Sequence, residues 1–375
     1  MGPFDTITLL AHLLKGNHDA FIRHLAARGP DFTGFGDLLA KHQLREFVYS
    51  ALAASPAADT LPPALTDSLK RAYIRQRARI EQMLGELKLL SSTLSLAGQE
   101  FILLKGPYLA KRFYADLDRR AFWDIDILVQ REELGNAQRH LISAGFARRS
   151  RILFNEQLTV RFGHAFDFAK SGIAVDLHWA LRNRPSYRFD YRNIWKAKQE
   201  FWLDDVRFYV LSDQHALVFT LVSTFNDIEV AKLRLRSLVD LYMMVRALHG
   251  EVDWDRFLED RRTENIFKIS VNVLNLFLRV FDCNRDFPDL ARAIDRRRSE
   301  LEGDNPVTIE TLVSHSRVGM SHRLWASRLY EISRLRLLFW WMISMPFRRA
   351  AFRAGKSARL KSDLRRIMAK IGLTS

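Results

Sequence analysis

Residues 122–130, FWDIDILVQ, set two carboxylates into a run that otherwise has the composition of a buried strand. Ile125, Ile127, Leu128 and Val129 are strand formers that suit a pleated, half-buried surface. Taking an ion out of water costs several kcal/mol, so acids rarely enter such a run without a compensating partner. Side chains alternate along a strand, so Asp124 and Asp126 share one face, roughly 6.6 Å apart along it. Ile125 and Ile127 fill the opposite face. A chain with this stretch must build a sheet that has a core on one side and a neutraliser of negative charge on the other.

A second stretch supplies more acid. HAFDFAK, SG and IAVDLHWAL form a predicted hairpin with Ser171-Gly172 as its two-residue turn. Asp176 lies between Val175 and Leu177, and His178 shares its face. Three converging carboxylates, Asp124, Asp126 and Asp176, repel one another and raise their pKa values. A divalent cation removes that penalty, and ligation by carboxylate oxygens suits Mg²⁺ or Mn²⁺. Upstream, EFILLK (100–105) is a predicted short strand that ends in a Gly106-Pro107 turn, with a helix beginning at Pro107. Glycine admits a close backbone approach, a helix N-terminus offers N–H groups to an anion, and Lys105 adds a point charge.

Around this core the pattern is helical. Short helices are expected over 4–53, and a long one from about Thr66, with Tyr73, Ile80, Leu84, Leu87, Leu90 and Leu94 at helical spacing and a stop at Gly98. From about residue 211 the chain reads as helices over 212–225, 229–249, 254–262 and 264–282. The expectation is an α+β fold: a small mixed sheet with flanking helices, and mostly helical regions on either side. The divisions are an N-terminal helical segment (1–60), a catalytic core (61–210), a helical domain (211–300) and a basic amphipathic tail (301–375).

One cysteine, Cys283, excludes an internal disulfide framework and fits a reducing cytosol. The N-terminus lacks a basic n-region and a cleavage site, and no apolar run reaches the roughly 18 residues that span a bilayer. A cytoplasmic protein is therefore expected. The formal charge of +15 is concentrated at one end: residues 321–375 hold 13 Lys/Arg against two acids. LRLLFWWMISMPF (335–347), followed by that basic run, suits an anionic membrane surface as well as a core helix with a solvated extension. Sparse glycine and the lack of a stacking-rich basic groove argue against nucleic acid as a partner.

The stretch FILLKGPYLAKRFYADLDRRAFWDIDILVQREEL, with IAVDLHWAL after it, resembles the uncharacterised bacterial nucleotidyltransferases of the polymerase-β-like superfamily. The matching positions are Leu104, Lys105, Gly106, Tyr114, Asp116, Arg120, Asp124, Asp126, Val129, Asp176, His178 and Trp179. The resemblance implies transfer of a nucleoside monophosphate from an NTP to an acceptor hydroxyl, in a setting of polysaccharide synthesis or secretion. It further implies Asp124 and Asp126 as ligands of both metals, Asp176 as ligand of the catalytic one, and Lys105, Gly106, Arg120 and His178 on the nucleotide. Two departures stand out: Pro107 follows Gly106 where Gly or Ser is usual, and Trp123 precedes the first Asp where Gly is usual. Residue by residue, Arg120 suits either phosphate binding or a structural bridge, and His178 suits either the nucleotide or a structural hydrogen bond. Asp240 is expected in a helix-face pair with Arg236. Two other functions fit a DxD pair: a metal-dependent glycosyltransferase, or a catalytically degenerate fold serving as a membrane-surface adaptor.

Overall fold

The computed structural model describes residues 3–27, 33–53, 61–149, 156–230, 232–301 and 325–333, with a few positions up to Met342. Five helices come first: α1 (Pro3–Leu14), α2 (His18–Ala26), α3 (Thr33–His42), α4 (Arg45–Ala53) and the long α5 (Pro63–Leu96). In α5 the predicted spacing buries Ile80, Leu87, Leu90 and Leu94. The helix ends at Ala97, and Gly98 follows with φ +67°.

Seven strands then form one mixed sheet: β1 (Ile102–Leu103), β2 (Asp124–Leu128), β3 (Ala147–Arg148), β4 (Ala165–Lys170), β5 (Ile173–His178), β6 (Gln199–Leu203) and β7 (Val206–Val210). Their spatial order is β3-β4-β5-β2-β1-β7-β6. The pairs β2–β5 and β1–β7 are parallel and the others antiparallel. Short helices α6 (Pro107–Tyr114), α7 (Leu134–Ser143), α8 (Glu156–Phe162) and α9 (Tyr191–Lys196) fill the connections. The helical half follows as α10 (Asp213–Glu229), α11 (Leu235–Leu248), α12 (Trp254–Thr263), α13 (Phe267–Val280) and α14 (Pro288–Asp295).

The predicted mixed α/β architecture is therefore what the chain adopts, with two differences in the sheet. The first strand is confined to two residues, because Gly106 turns the chain as soon as Leu104 N–H has bonded the Asp126 carbonyl at 2.9 Å. The hairpin β6–β7 extends the sheet at its far edge and was not expected. Its signal is present in EFWLDDVRFYV, where Leu203, Phe208 and Val210 are buried and Asp204 takes the positive φ of the turn, 53°.

One face of the sheet is apolar across β2, β5 and the middle of β4. Ile125 and Ile127 lie beside Val175 and Leu177, which lie beside Phe166 and Phe168, and all six are inaccessible to solvent. They belong to a buried cluster that runs continuously from Ile7 to Leu337. Burial of this kind stabilises by about 25 cal/mol per Å² and fixes the register of β2 and β5, since a slip of one residue would drive acids into the core. Among the described residues no helix is long and apolar enough to cross a membrane. Most of 335–375, the segment expected at a membrane surface, lies outside the described residues.

Candidate active site

The register that buries the aliphatic face aligns the acids on the other. In the parallel pair β2–β5, Asp126 stands directly opposite Asp176 and Asp124 opposite Ala174. In the antiparallel hairpin β4–β5, Asp167 stands opposite Asp176. Three neighbouring strands thus carry a row of carboxylates, Asp126, Asp176 and Asp167, with Asp124 two positions along β2. The β4–β5 turn that sets this row is the expected Ser171-Gly172, with φ values of 49° and 82° as a type I′ turn requires.

The side chains converge as well. Ligating atoms of Asp126, Asp176 and His178 all lie within 4.8 Å of one another, a spacing suited to one metal ion. His178 Nε2 is 3.0 Å from Asp126 Oδ1, and His178 Nδ1 is buried without a partner. Burial lowers the His178 pKa against the pull of Asp126, so the ring is neutral and its Nε2–H donates to the carboxylate. Lys105 Nζ lies 3.7 Å from the same Asp126 oxygen and 4.7 Å above the Phe219 ring of α10, which holds the ammonium over the acids.

The environments split the carboxylates. Burial pushes the Asp176 pKa up to about 8, assisted by Asp126, Asp124 and Asp167. Burial and Asp126 also raise Asp124. At Asp126 burial works in the same direction, but Lys105 and the His178 hydrogen bond outweigh it and hold the carboxyl well below the usual range. Mutual repulsion among hard oxygen ligands is what a divalent cation relieves, so the donor set fits Mg²⁺ or Mn²⁺.

The turn before α6 brings backbone to the acids. Gly106 has φ +63° and ψ −116°, and a Cβ on it would stand 3.4 Å from the Asp124 carbonyl oxygen and 3.5 Å from the Phe122 ring. Glycine is favoured here by conformation, since a Cβ would make close but ordinary contacts while the positive φ strains any L side chain. Trp123, by strand alternation, points away from Asp124. Arg79 of α5 stands 5.0 Å over its ring and donates to its carbonyl oxygen at 3.2 Å.

Arg120, expected on the nucleotide, is engaged elsewhere. Its Nε and Nη2 donate to the two Asp240 oxygens at 2.7 and 2.9 Å, and Tyr114 Oη donates to Asp240 Oδ1 at 2.6 Å. This buried triad joins α6, the approach to β2 and α11. Asp240 thus pairs across the fold with Arg120 and not along its helix with Arg236, whose Nη1 donates to the Ala121 carbonyl at 2.8 Å.

The chain belongs to a nucleotidyltransferase family. The family, described as uncharacterised nucleotidyltransferase, matches residues 29–282, which include every acid of the row and both Lys105 and Asp240. No curated protein matches the chain. Membership makes it a transferase enzyme.

Three further residues at the site were not singled out in the sequence: Asp167, Arg182 and Asp227. Asp167 follows the strand alternation of HAFDFAK and was legible there. Asp227 lies on α10 one turn beyond Ser223; burial raises its pKa, opposed by Arg182, Lys105, Arg234 and Arg236. These four cations come from three separate segments, which no spacing rule connects. A separate polar cleft of about 760 Å³, lined by Asp190, Ser212, His215, Glu251 and Arg261 among others, shares no residue with the acid row.

Proposed function

We propose that the protein transfers a nucleoside monophosphate from an NTP to an acceptor hydroxyl in a metal-dependent reaction, with pyrophosphate as the leaving group. The single observation that carries this reading is the β2–β5 register, with Asp126 facing Asp176 across adjacent parallel strands and Asp124 on the same face. Asp124, Asp126 and Asp176 would hold Mg²⁺ or Mn²⁺. Such ions, when bound, stabilise the charge on the attacking and leaving oxygens of an in-line displacement.

The chain's own groups then have distinct tasks. Asp126, kept ionised by Lys105 and His178, is the permanent anion of the site. Asp176 accepts the proton of the acceptor hydroxyl as its oxygen bonds to the α-phosphorus and the bond from phosphorus to the pyrophosphate oxygen breaks. His178 orients Asp126 through its 3.0 Å hydrogen bond, a positioning task and not contact with the nucleotide. Gly106 lets phosphate approach the start of α6, and Lys105 adds its charge there. We leave Arg120 out of the nucleotide set, because its donors serve Asp240.

The test is incubation of the full chain with each α-labelled NTP and Mg²⁺, reading label transfer and pyrophosphate release. Both signals should fall at least about 100-fold in Asp124→Asn/Asp126→Asn and on chelation of the metal. Turnover unchanged in the double variant would refute the assignment. Thermal stabilisation by UDP-sugars and not by NTPs would favour glycosyl transfer, a reading the family membership already disfavours.

A further inference from the structure

Three arginines in or near this half of the molecule are buried and two, Arg182 and Arg236, are half-buried, and they fall into two groups. Three have a carboxylate at short range: Arg120 with Asp240 at 2.7 Å, Arg184 with Glu229 at 2.7 Å, and Arg261 with Glu264 at 2.6 Å. Arg182 and Arg236 have no carboxylate within 4.0 Å among the described residues. Arg182 Nη1 contacts His164 Nε2 at 2.7 Å and Nη2 reaches Ser223 Oγ at 3.5 Å, while its Nε is buried without a partner. Arg236 Nη1 donates to the Ala121 carbonyl at 2.8 Å, and its Nε is likewise buried and unpartnered.

An uncompensated guanidinium in a poorly solvated place is costly, and folds normally pair it, as this one does three times. Arg182 and Arg236 lie close enough to the acid row to act on it. Arg182 follows β5 by four residues and its charge is felt at Asp126, while Arg236, in the first turn of α11, is felt at Asp124. Neither arginine is free to drift. The Arg182 loop is held by Arg184, which bonds Glu229 and the Tyr330 hydroxyl, and Arg236 is held by the Ala121 carbonyl. Two fixed cations without a close ion pair, beside carboxylates suited to a cation, call for a bound polyanion whose metal the acids share.

We propose that Arg182 and Arg236 are the phosphate-binding residues of this site, taking the β- and γ-phosphates of the NTP and retaining them as the pyrophosphate leaves. This rests on the nucleotidyl-transfer reading but makes a separable claim about anion binding. Since the Arg120 pair is structural, these two replace it as the guanidiniums on the nucleotide.

The experiment is calorimetric titration of the full chain with inorganic tripolyphosphate, in Mg²⁺ and in EDTA, for wild type, Arg182→Gln, Arg236→Gln and the two Arg→Lys variants, with a melting curve for each. The expected result is at least tenfold weaker binding in each Gln variant, partial recovery in the Lys variants, and melting temperatures equal to or above wild type. Wild type that binds no tripolyphosphate, or Gln variants that bind within twofold of it, would overturn the proposal. So would melting temperatures lowered by more than about 5 °C in both Gln and Lys variants, since the guanidiniums would then hold the fold. If wild type transfers nucleotide while the variants bind tripolyphosphate normally, only this inference fails. If the variants lose binding while Asp124→Asn/Asp126→Asn leaves turnover intact, the anion site stands and the catalytic reading fails.

Discussion

The Arg120–Asp240 pair offers a sharp perturbation, because the sequence allows Arg120 two roles and its donors are found on Asp240. Both side chains are under a tenth exposed, 4% and 7%, and the pair is bidentate with a third hydrogen bond from Tyr114. Asp240→Asn removes the anion and leaves the Arg120 guanidinium buried, with Arg236 as a second cation close by. Breaking a buried pair from one side costs about 3–5 kcal/mol, mostly the penalty of the stranded charge. For a chain of this size that corresponds to a fall in Tm on the order of 5–10 °C. Arg120→Met should cost a similar amount, whereas Arg120→Met/Asp240→Leu should cost less than either alone, because no charge is then stranded. The assay is equilibrium urea unfolding alongside thermal melts. A loss below about 1 kcal/mol in both single variants, accompanied by weaker NTP binding in Arg120→Met, would refute the structural role and return Arg120 to the nucleotide. The same pair makes a pH prediction. Burial alone would raise the Asp240 pKa, but Arg120 and Tyr114 hold it below the usual carboxylate range. A carboxyl depressed in the folded state contributes stability that is present above its unfolded pKa of about 3.9 and lost as pH falls through the folded value. Wild-type Tm should therefore drop more steeply than that of Asp240→Asn below about pH 4.

Three further outcomes are expected. Gly106→Ala should lower stability by about 1–3 kcal/mol in melting curves, because an L side chain at φ +63° is strained; an unchanged Tm would show that the turn relaxes freely. Asp176→Asn relieves repulsion from Asp126, Asp124 and Asp167, so metal-free protein should melt at or above the wild-type temperature while the Mg²⁺-induced rise disappears; a retained rise would remove Asp176 from the ligand set. Tyr330→Phe deletes a hydroxyl that donates to Glu229 and accepts from Arg184, each at 3.0 Å, and should cost about 1–3 kcal/mol by urea unfolding. No loss would show that Arg184 and Glu229 suffice without it.

Much of the site could be reached from the residue pattern because strand alternation is a local rule. FWDIDILVQ by itself determined that Asp124 and Asp126 share a face opposite Ile125 and Ile127, and IAVDLHWAL did the same for Asp176 and His178. Ser171-Gly172 fixed the hairpin, and LKG fixed a strand that stops abruptly before a helix. Four helices of the C-terminal half, α10 to α13, were likewise legible, since their burial period is written in ten or more consecutive residues, whereas the eight-residue α14 was not expected. The hairpin β6–β7 was written in the same way, though its alternation is interrupted by two aspartates at the turn.

What only the tertiary structure decided is which charges meet. Pairing of β2 with β5 aligned Asp126 with Asp176, a choice among registers that the packing of Ile125, Ile127, Val175 and Leu177 makes and a single strand cannot. Arg120 and Arg236 are both near Asp240, one 120 positions away and one four; the distant residue took the carboxylate and the near one was left facing Asp124. Electrostatic partnership depends on distance through space and on how much water is removed, and neither quantity is a property of the chain read in order.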